Sequence, residues 1–527
     1  MHSDQNSSFD KRKNGGRTRR DALTLASGIL VAVAARSHAR AEDVPKKGGL
    51  LRVSSASNPS SLDPATGGSG ADHAFLYTMY DTLTEWEYDS LKPAPGLAES
   101  WKYPDPKTLI LNLRQGVTFQ DRTPFDAEAV KLNLDRNKTN PRSNVKADLA
   151  TVAAIDVTGL MQVTLRLSTA DSALPGILSD RAGMMVSPVA IKSGENIDRR
   201  PVGTGAYAFV SWSDGDKVVV KRNGASHWRT DRNFLDGIEF SIIPELTTGV
   251  RSVTAGQNDF MAGVPARQKV IVERSTAVQV VTGTTLACAQ FYLNWAKPPF
   301  DDLRVRQAVN FAIDREAYSK AAYAGIAEPA AMNLPRSHWA YDPEVAKLYR
   351  YDPDKARKLL ADAGHAGGLT IEMVGNNDQD SVQREEILIE QLSKVGITAH
   401  FTNGTVADIA AGFFGPEKKG AAQLSAWSGR PDPSQTYASL YTKDAYYNAG
   451  RGDVVPELVT AIAESRSTED IETRKRAFSK LQRALMENAY VVPLVFPLQV
   501  SVMSARVKGY RPNLLGKPKF EYVWLDA

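Results

Sequence analysis

The order in which hydrophobic periodicities follow one another constrains this 527-residue chain most. "KTLILNLRQGVTF" (107–119) and "QVTLRLST" (162–169) alternate apolar and polar residues, as half-buried strands do, and "DAEAVKLNLDRN" between them reads as a helix. "GGLLRVSSAS", "DGIEFSII", "KVIVE" (269–273) and "AVQVVTG" read as further strands. "PVGTGAYAFVSWSDGDKVVVKRN" reads as a hairpin with Asp-Gly at its corner. From residue 300 the texture turns helical. "DDLRVRQAVNFAIDREAYSKAAYAG" has an acidic start, apolar residues three and four apart, and a terminal Gly. "YDPDKARKLLADAG" has Asp352 to cap it, Pro353 for its first turn and Gly364 for its exit. "SVQREEILIEQLSKVGITAHF" reads helix, Gly stop, strand. "YVVPLVFPLQVSV" (490–502) then returns to strands, with Pro493 and Pro497 marking edges or crossovers. A β-rich lobe completed by the C-terminal tail, with an α/β lobe inserted into it, satisfies this order. Such a chain crosses between lobes more than once, which permits hinge closure on a ligand.

The N-terminus obeys different rules. Lys11, Arg12, Lys13, Arg17, Arg19 and Arg20 precede "ALTLASGILVAVAA" (22–35), fourteen uncharged residues too short to span about 30 Å of hydrocarbon as a helix. Arg36 and "SHARA" follow. This is the plan of a secretory signal cleaved after Ala41, and the Arg pair in "TRRDAL" suits the twin-arginine route. Residues 1–41 carry eight Lys/Arg and three Asp/Glu, a net +5 out of the whole chain's +4. The 486 mature residues are left near −1, which gives no basic surface for nucleic acid or membrane. Apolar residues make up 42% and charged residues 24%, an ordinary globular mixture. Cys288 is the only cysteine, so no intrachain disulfide forms, and none stands at the cleavage site to carry a lipid. The expected product is soluble, exported to the periplasm, unanchored and monomeric.

Catalytic patterns are lacking. The sequence has no G-x-S-x-G elbow, no H-E-x-x-H and no phosphate loop. His73, His227, His338, His365 and His400 show no metal-ligand spacing. Neither an enzyme, a cofactor nor a bare metal is expected.

"SLDPA", "YDTLTEWEYDSLKPAPGLAESW", "LNLRQGVTFQDRTPFDAEAV", "PVGTGAYAFVSW", "DDLRVRQAVNFAIDRE" and "YDPDKARKLLADAG" occur in this order. Together they resemble the signatures of extracytoplasmic solute-binding proteins of the peptide/nickel class, family 5. The resemblance implies an α/β, two-lobed periplasmic binding protein (class II-like) with an extra domain in the first lobe. That protein would capture a peptide or peptide-like solute and deliver it to the permease and ATPase of an ABC importer. It implies a signal peptide over 1–41, a main domain of the first lobe over 42–85, 204–290 and 495–527, an extra domain over 86–203 and a second lobe over 291–494. A sensor or chaperone on the same fold, without transport, is the alternative.

"AWSGRPDPSQTYASLY" (426–441) carries the candidate site. In peptide-binding relatives a Trp here is followed by an Asp, which takes the ligand's α-ammonium, and then by an acid-Pro pair. This chain has Trp427, Ser428, Gly429, Arg430, Pro431, Asp432 and Pro433. Arg430 stands where the Asp is expected. A guanidinium accepts no hydrogen bond and repels an ammonium, but its planar fork suits a carboxylate or phosphate. An anionic group facing Arg430, with Trp427 as an apolar wall, is one reading. In the other, Arg430 pairs with Asp432 and stiffens the loop. Asp432 is expected to cap a turn, or to have taken over the ammonium role. Tyr80 and Asn294 are expected along the cleft walls. "GGSGAD" (67–72) is either a flexible loop or a set of backbone N–H donors for an anion, with Asp72 as a competing cap.

Overall fold

The strand Leu50–Ser55 pairs in parallel with Gly237–Ile242 on one side and Phe260–Ala262 on the other. Parallel neighbours need long crossovers, so the intervening chain must leave this sheet and come back. The computed structural model, which describes residues 44–224, 227–415, 417–443 and 445–526, shows where it goes. The signal features, including Ala41, lie outside these residues.

Seven strands form the first sheet, in the order 278–283, 499–504, 260–262, 50–55, 237–242, 217–222, 207–213. The last two are the expected hairpin, with Gly215 at φ +70° in its corner. One face buries Leu51, Val53, Val218, Val220 and Phe240 against Phe75, Leu76 and Met79 of the helix His73–Met79. Full burial of one such side chain contributes about 1.5–3 kcal/mol. Between this helix and the hairpin the chain builds a separate antiparallel sheet, order 98–105, 108–113, 162–167, 152–159. The helix Ala127–Thr139 backs it over a core of its own containing Leu109, Leu111, Phe119, Leu134, Val163 and Leu165. Asp126 caps that helix by accepting from Ala129 N–H at 2.9 Å.

The second lobe has a six-stranded mixed sheet, order 328–329, 491–496, 288–293, 422–427, 369–376, 397–404. Leu369–Asn376 and Ile397–Gly404 run parallel around the helix Gln379–Ser393, a right setting for the Gly stop at Gly396, φ +85°. Asp352 accepts from Lys355 N–H at 2.9 Å and caps Pro353–Asp362 as its sequence suggests.

Three expectations need correction. "KVIVE" is not a strand: it lies in the helix Ala266–Val272, opened by Pro265. Val272 packs inward, while Val270 and Ile271 remain 46% and 69% exposed, so β-branched propensity loses to the position of the start signal. The segment 301–325 is two helices, Leu303–Ala312 and Arg315–Tyr323, because Asp314 accepts from Ala317 N–H and caps a second start. The boundaries at 85/86, 290/291 and 494/495 fall inside the strands Thr84–Trp86, Cys288–Leu293 and Val491–Phe496.

The chain passes between the seven- and six-stranded sheets twice, at 284–287 and at 497–498. These links join neighbouring strands on both sides and lie side by side, with Thr285 Oγ1 donating to the Pro497 carbonyl at 3.0 Å. Pro497 thus marks a crossover. Pro493 sits opposite Gln290, where the pairing of 288–293 with 491–496 shifts register. Among the described residues no helix is long and apolar enough to cross a membrane.

Candidate functional site at the seam between the lobes

The strand Ala422–Trp427 ends at the seam, and the loop after it meets the first lobe. Trp427 is buried, donates through Nε1 to Thr436 Oγ1 at 3.0 Å and meets Tyr447 edge-on, with ring centroids 5.3 Å apart. Gly429 has φ +75°, and a Cβ there would come within 2.4 Å of Leu286 in one of the two links. Only glycine suits both the turn and the close approach. This turn aims Arg430 back over the Trp427 ring, at 4.6 Å from the centroid. The Arg430 guanidinium donates to the Gly429 carbonyl at 2.9 Å and the exposed Ser428 Oγ at 3.4 Å. Among the described residues no carboxylate lies within ion-pair distance of it.

Asp432 does not pair with Arg430, and it is not free to take an ammonium. It caps the helix Pro433–Tyr441 in a capping box with Gln435, accepting from Ser434 N–H at 2.9 Å and Ser434 Oγ at 2.6 Å. Arg474 closes on it with Nη2 at 2.7 and 2.9 Å from the two oxygens, and both side chains are buried. Across the seam, a Cβ on Gly176 of the first lobe would lie 3.1 Å from Asp432 Cβ. His338 stands close by. Burial pushes its imidazole down to about 4, Asp432 opposing and Arg474 assisting, and its Nδ1 accepts from Ala340 N–H. An unfolded histidine near 6.5 takes up protons that this one refuses, so its stability contribution is present above pH 6.5 and lost as pH falls towards 4. The loss is about 3 kcal/mol. Urea unfolding across that window should show it, and His338→Gln should flatten the profile.

A second ion pair spans the seam. Arg466 of the second lobe holds Asp171 of the first through two bonds, Nε–Oδ1 at 2.9 Å and Nη2–Oδ2 at 2.6 Å. Ser172 N–H donates to the Arg466 carbonyl at 2.9 Å. Thr151 Oγ1 and Tyr103 OH brace Asp171 from within the first lobe, at 2.6 and 2.7 Å. On the other flank Arg267 reaches Asp380 and Gln383.

The first lobe presents a buried charged group next to Arg430. Asp180 accepts from Lys517 Nζ at 2.8 Å, and its other oxygen lies 2.5 Å from His73 Nε2. Burial pushes the Asp180 carboxyl up, but His73 and Lys517 outweigh it and hold it well below the carboxylate range. Burial draws Lys517 downward, against the pull of Asp180, and Arg430 adds to the lowering.

Tyr80 and Asn294, expected along the cleft walls, are both buried. Tyr80 is in the first-lobe core, donating to the Leu62 carbonyl at 3.0 Å. Asn294 is fully buried at a strand end, where its Oδ1 accepts from Ala296 N–H. The 67–72 loop is tied down rather than flexible. Arg181 donates to the carbonyls of Gly67 and Ser69, and Asp72 accepts from Ser60 N–H, Ser60 Oγ and Ser69 N–H. Ser69, not Asp72, supplies the cap. Sequence reasoning missed Asp171, Arg466, Asp180 and Lys517, whose partners lie hundreds of residues away. Cys288 is buried, and burial raises its thiol. Among the described residues no group of three or more His, Cys, Asp or Glu is placed to hold a metal ion.

Residues 92–449 match the family model described as bacterial extracellular solute-binding proteins, family 5 Middle. The glutathione-binding protein GsiB of Escherichia coli O157:H7 is 30% identical over 507 residues, covering 92% of this chain and 95% of its own. Two solved structures have the same fold. DppA of Helicobacter pylori, in complex with the peptide STSA, superposes with a TM-score of 0.81 at 22% identity, covering 92% of this chain and 99% of that one. AgaA of A. tumefaciens R10, in complex with agropinic acid, gives 0.79 at 22% identity, covering 91% and 99%. The chain therefore belongs to the extracellular solute-binding proteins of family 5, the solute-binding components of ABC importers.

Proposed function

We propose that this protein captures a small peptide-like solute carrying an anionic group, with that group seated on Arg430, and passes it to the permease. The supporting observation is an arginine at the inter-lobe seam, laid over Trp427, that among the described residues hydrogen-bonds a hydroxyl and a carbonyl and forms no ion pair. A half-exposed guanidinium in that state favours a carboxylate or phosphate with a bidentate face. Glutathione and agropinic acid, the solutes named for two relatives, are both carboxylic acids. Binding rather than catalysis is the whole activity in this reading. The protein works as a monomer without a lipid anchor, after twin-arginine export and cleavage behind Ala41.

Micromolar affinity corresponds to about 8 kcal/mol, more than one charged contact supplies. Closure of both lobes must add apolar burial and backbone hydrogen bonds. Mass spectrometry of solute released from the purified protein by denaturation should yield an acid. Arg430→Asp should weaken that acid by about 10- to 100-fold in calorimetry, the worth of a charge-assisted hydrogen bond. Unchanged affinity would remove Arg430 from the site.

A further inference from the structure

The acids around the seam are nearly all consumed. Asp171 is held by Arg466 and Thr151, Asp432 by Arg474 and Ser434, Asp180 by Lys517 and His73, and Asp72 by Arg181 and Ser60. Asp148 differs. Among the described residues its carboxylate takes part in no hydrogen bond and no ion pair, although charged groups of both lobes act on it. Arg430 and Arg466 act on it from the second lobe, and Asp180 and Lys517 from the first.

The backbone that carries Asp148 is well anchored. It forms the single turn Ala147–Leu149, with Val145 and Leu149 buried in the extra domain's core. Upstream, Asn144 N–H donates to the Ala65 carbonyl at 2.8 Å and its Nδ2 to Thr66 at 2.7 Å. Downstream, Thr151 Oγ1 donates to Asp171, which grips Arg466. The turn is thus anchored upstream to the first lobe and downstream to the pair that spans the seam, while its one acid is left open. Half-buried carboxylates without a partner are costly, and a binding cleft is where such a cost has a use.

Resting on the reading of Arg430 above, we infer that Asp148 is the ammonium acceptor of this cleft, so that the captured solute is a zwitterion held by its anionic group on the second lobe and its amine on the first. The one acid of the 427–433 loop, Asp432, is locked to Arg474 and not free to take an ammonium. Asp148 supplies a carboxylate from the opposite lobe. A cation of the second lobe and an anion of the first, neither in an ion pair among the described residues, then act on each other across the seam, and a solute bearing both charges neutralises both when the lobes close on it. Burial pushes the Asp148 carboxyl up to about 6, with Asp180 adding to the rise and Arg430, Arg466 and Lys517 opposing it. An ammonium ion beside it would favour the charged form.

Calorimetry on the mature chain with matched probes tests this. Glutathione and N-acetylglutathione form one pair, L-Ala-L-Glu and N-acetyl-L-Ala-L-Glu the other; within each pair the carboxylates are kept and the ammonium is lost. Wild type should prefer the free amine at least tenfold. Asp148→Asn should bring that ratio close to one by weakening the free amine, and Arg430→Gln should weaken both members while keeping the ratio. A wild-type ratio near one, a ratio preserved in Asp148→Asn, or equal weakening of both members by Asp148→Asn overturns the inference. If neither pair binds, solute released from the purified protein and treated with dansyl chloride decides. A dansylated product that Asp148→Asn no longer retains supports the assignment, and a solute without a reactive amine overturns it. Arg430→Gln without effect on any affinity rejects the anionic reading alone, because the amine ratio in Asp148→Asn is read separately.

Discussion

Asp171→Asn should lower solute affinity by about 30-fold or more, mostly as faster release. The carboxylate is fully buried, and its two bonds to Arg466 join the lobes. Removing one partner of a desolvated, doubly hydrogen-bonded pair costs about 2–5 kcal/mol. Here the cost falls on one state. When the lobes separate, Arg466 regains water, so the penalty is confined to the closed form. Arg466→Gln should act in the same direction, and the double variant should be little worse than either single one, the non-additivity expected of contacting residues. Small-angle scattering should report a more open average shape. Unchanged release rates with an unchanged scattering profile would show that this pair does not hold the lobes together.

Asp432→Ala should have its largest effect on stability, with solute recognition by the molecules that remain folded retained. It removes the cap of Pro433–Tyr441, worth about 0.5–2 kcal/mol, and strands the buried Arg474 guanidinium, worth about 3–5 kcal/mol. Arg474 also donates through Nε to the Ser465 carbonyl at 2.8 Å, so one end of the helix Ile471–Glu487 loosens with it. Denaturant unfolding monitored by Trp fluorescence measures the loss. A stable Asp432→Ala protein that fails to bind amines would instead place Asp432 in the ammonium role.

The features readable from the sequence were those written in a few adjacent residues. Asp352 with Pro353 and Gly364 bounds one helix, the Asp-Gly corner closes a hairpin at Gly215, and Gly396 ends another helix before its strand. Each is a local constraint that tertiary packing leaves in place. "KVIVE" reads as a strand and folds as a helix because a run of β-branched residues looks alike on an exposed helix face and in a strand. For the site, Arg430 stood out because it breaks a pattern in its own loop. Asp171 and Arg466 are 295 residues apart, and Asp180 and Lys517 are 337 apart. Nothing near either end names the other, so their pairing became visible only once the lobes were assembled. Asp148, within "NVKADLATV", has no local signature; what sets it apart is that it has no ion-pair partner among the described residues.

The double link between the sheets limits what sort of movement opening can be. Two short strands of chain, bonded to each other through Thr285 and Pro497, act as a crease: they fold readily about one direction and resist twisting about any other. Every return to the shut position must then retrace the same arc. The loop that carries Arg430 then comes back to the same place on each cycle, without a rigid connection between the halves.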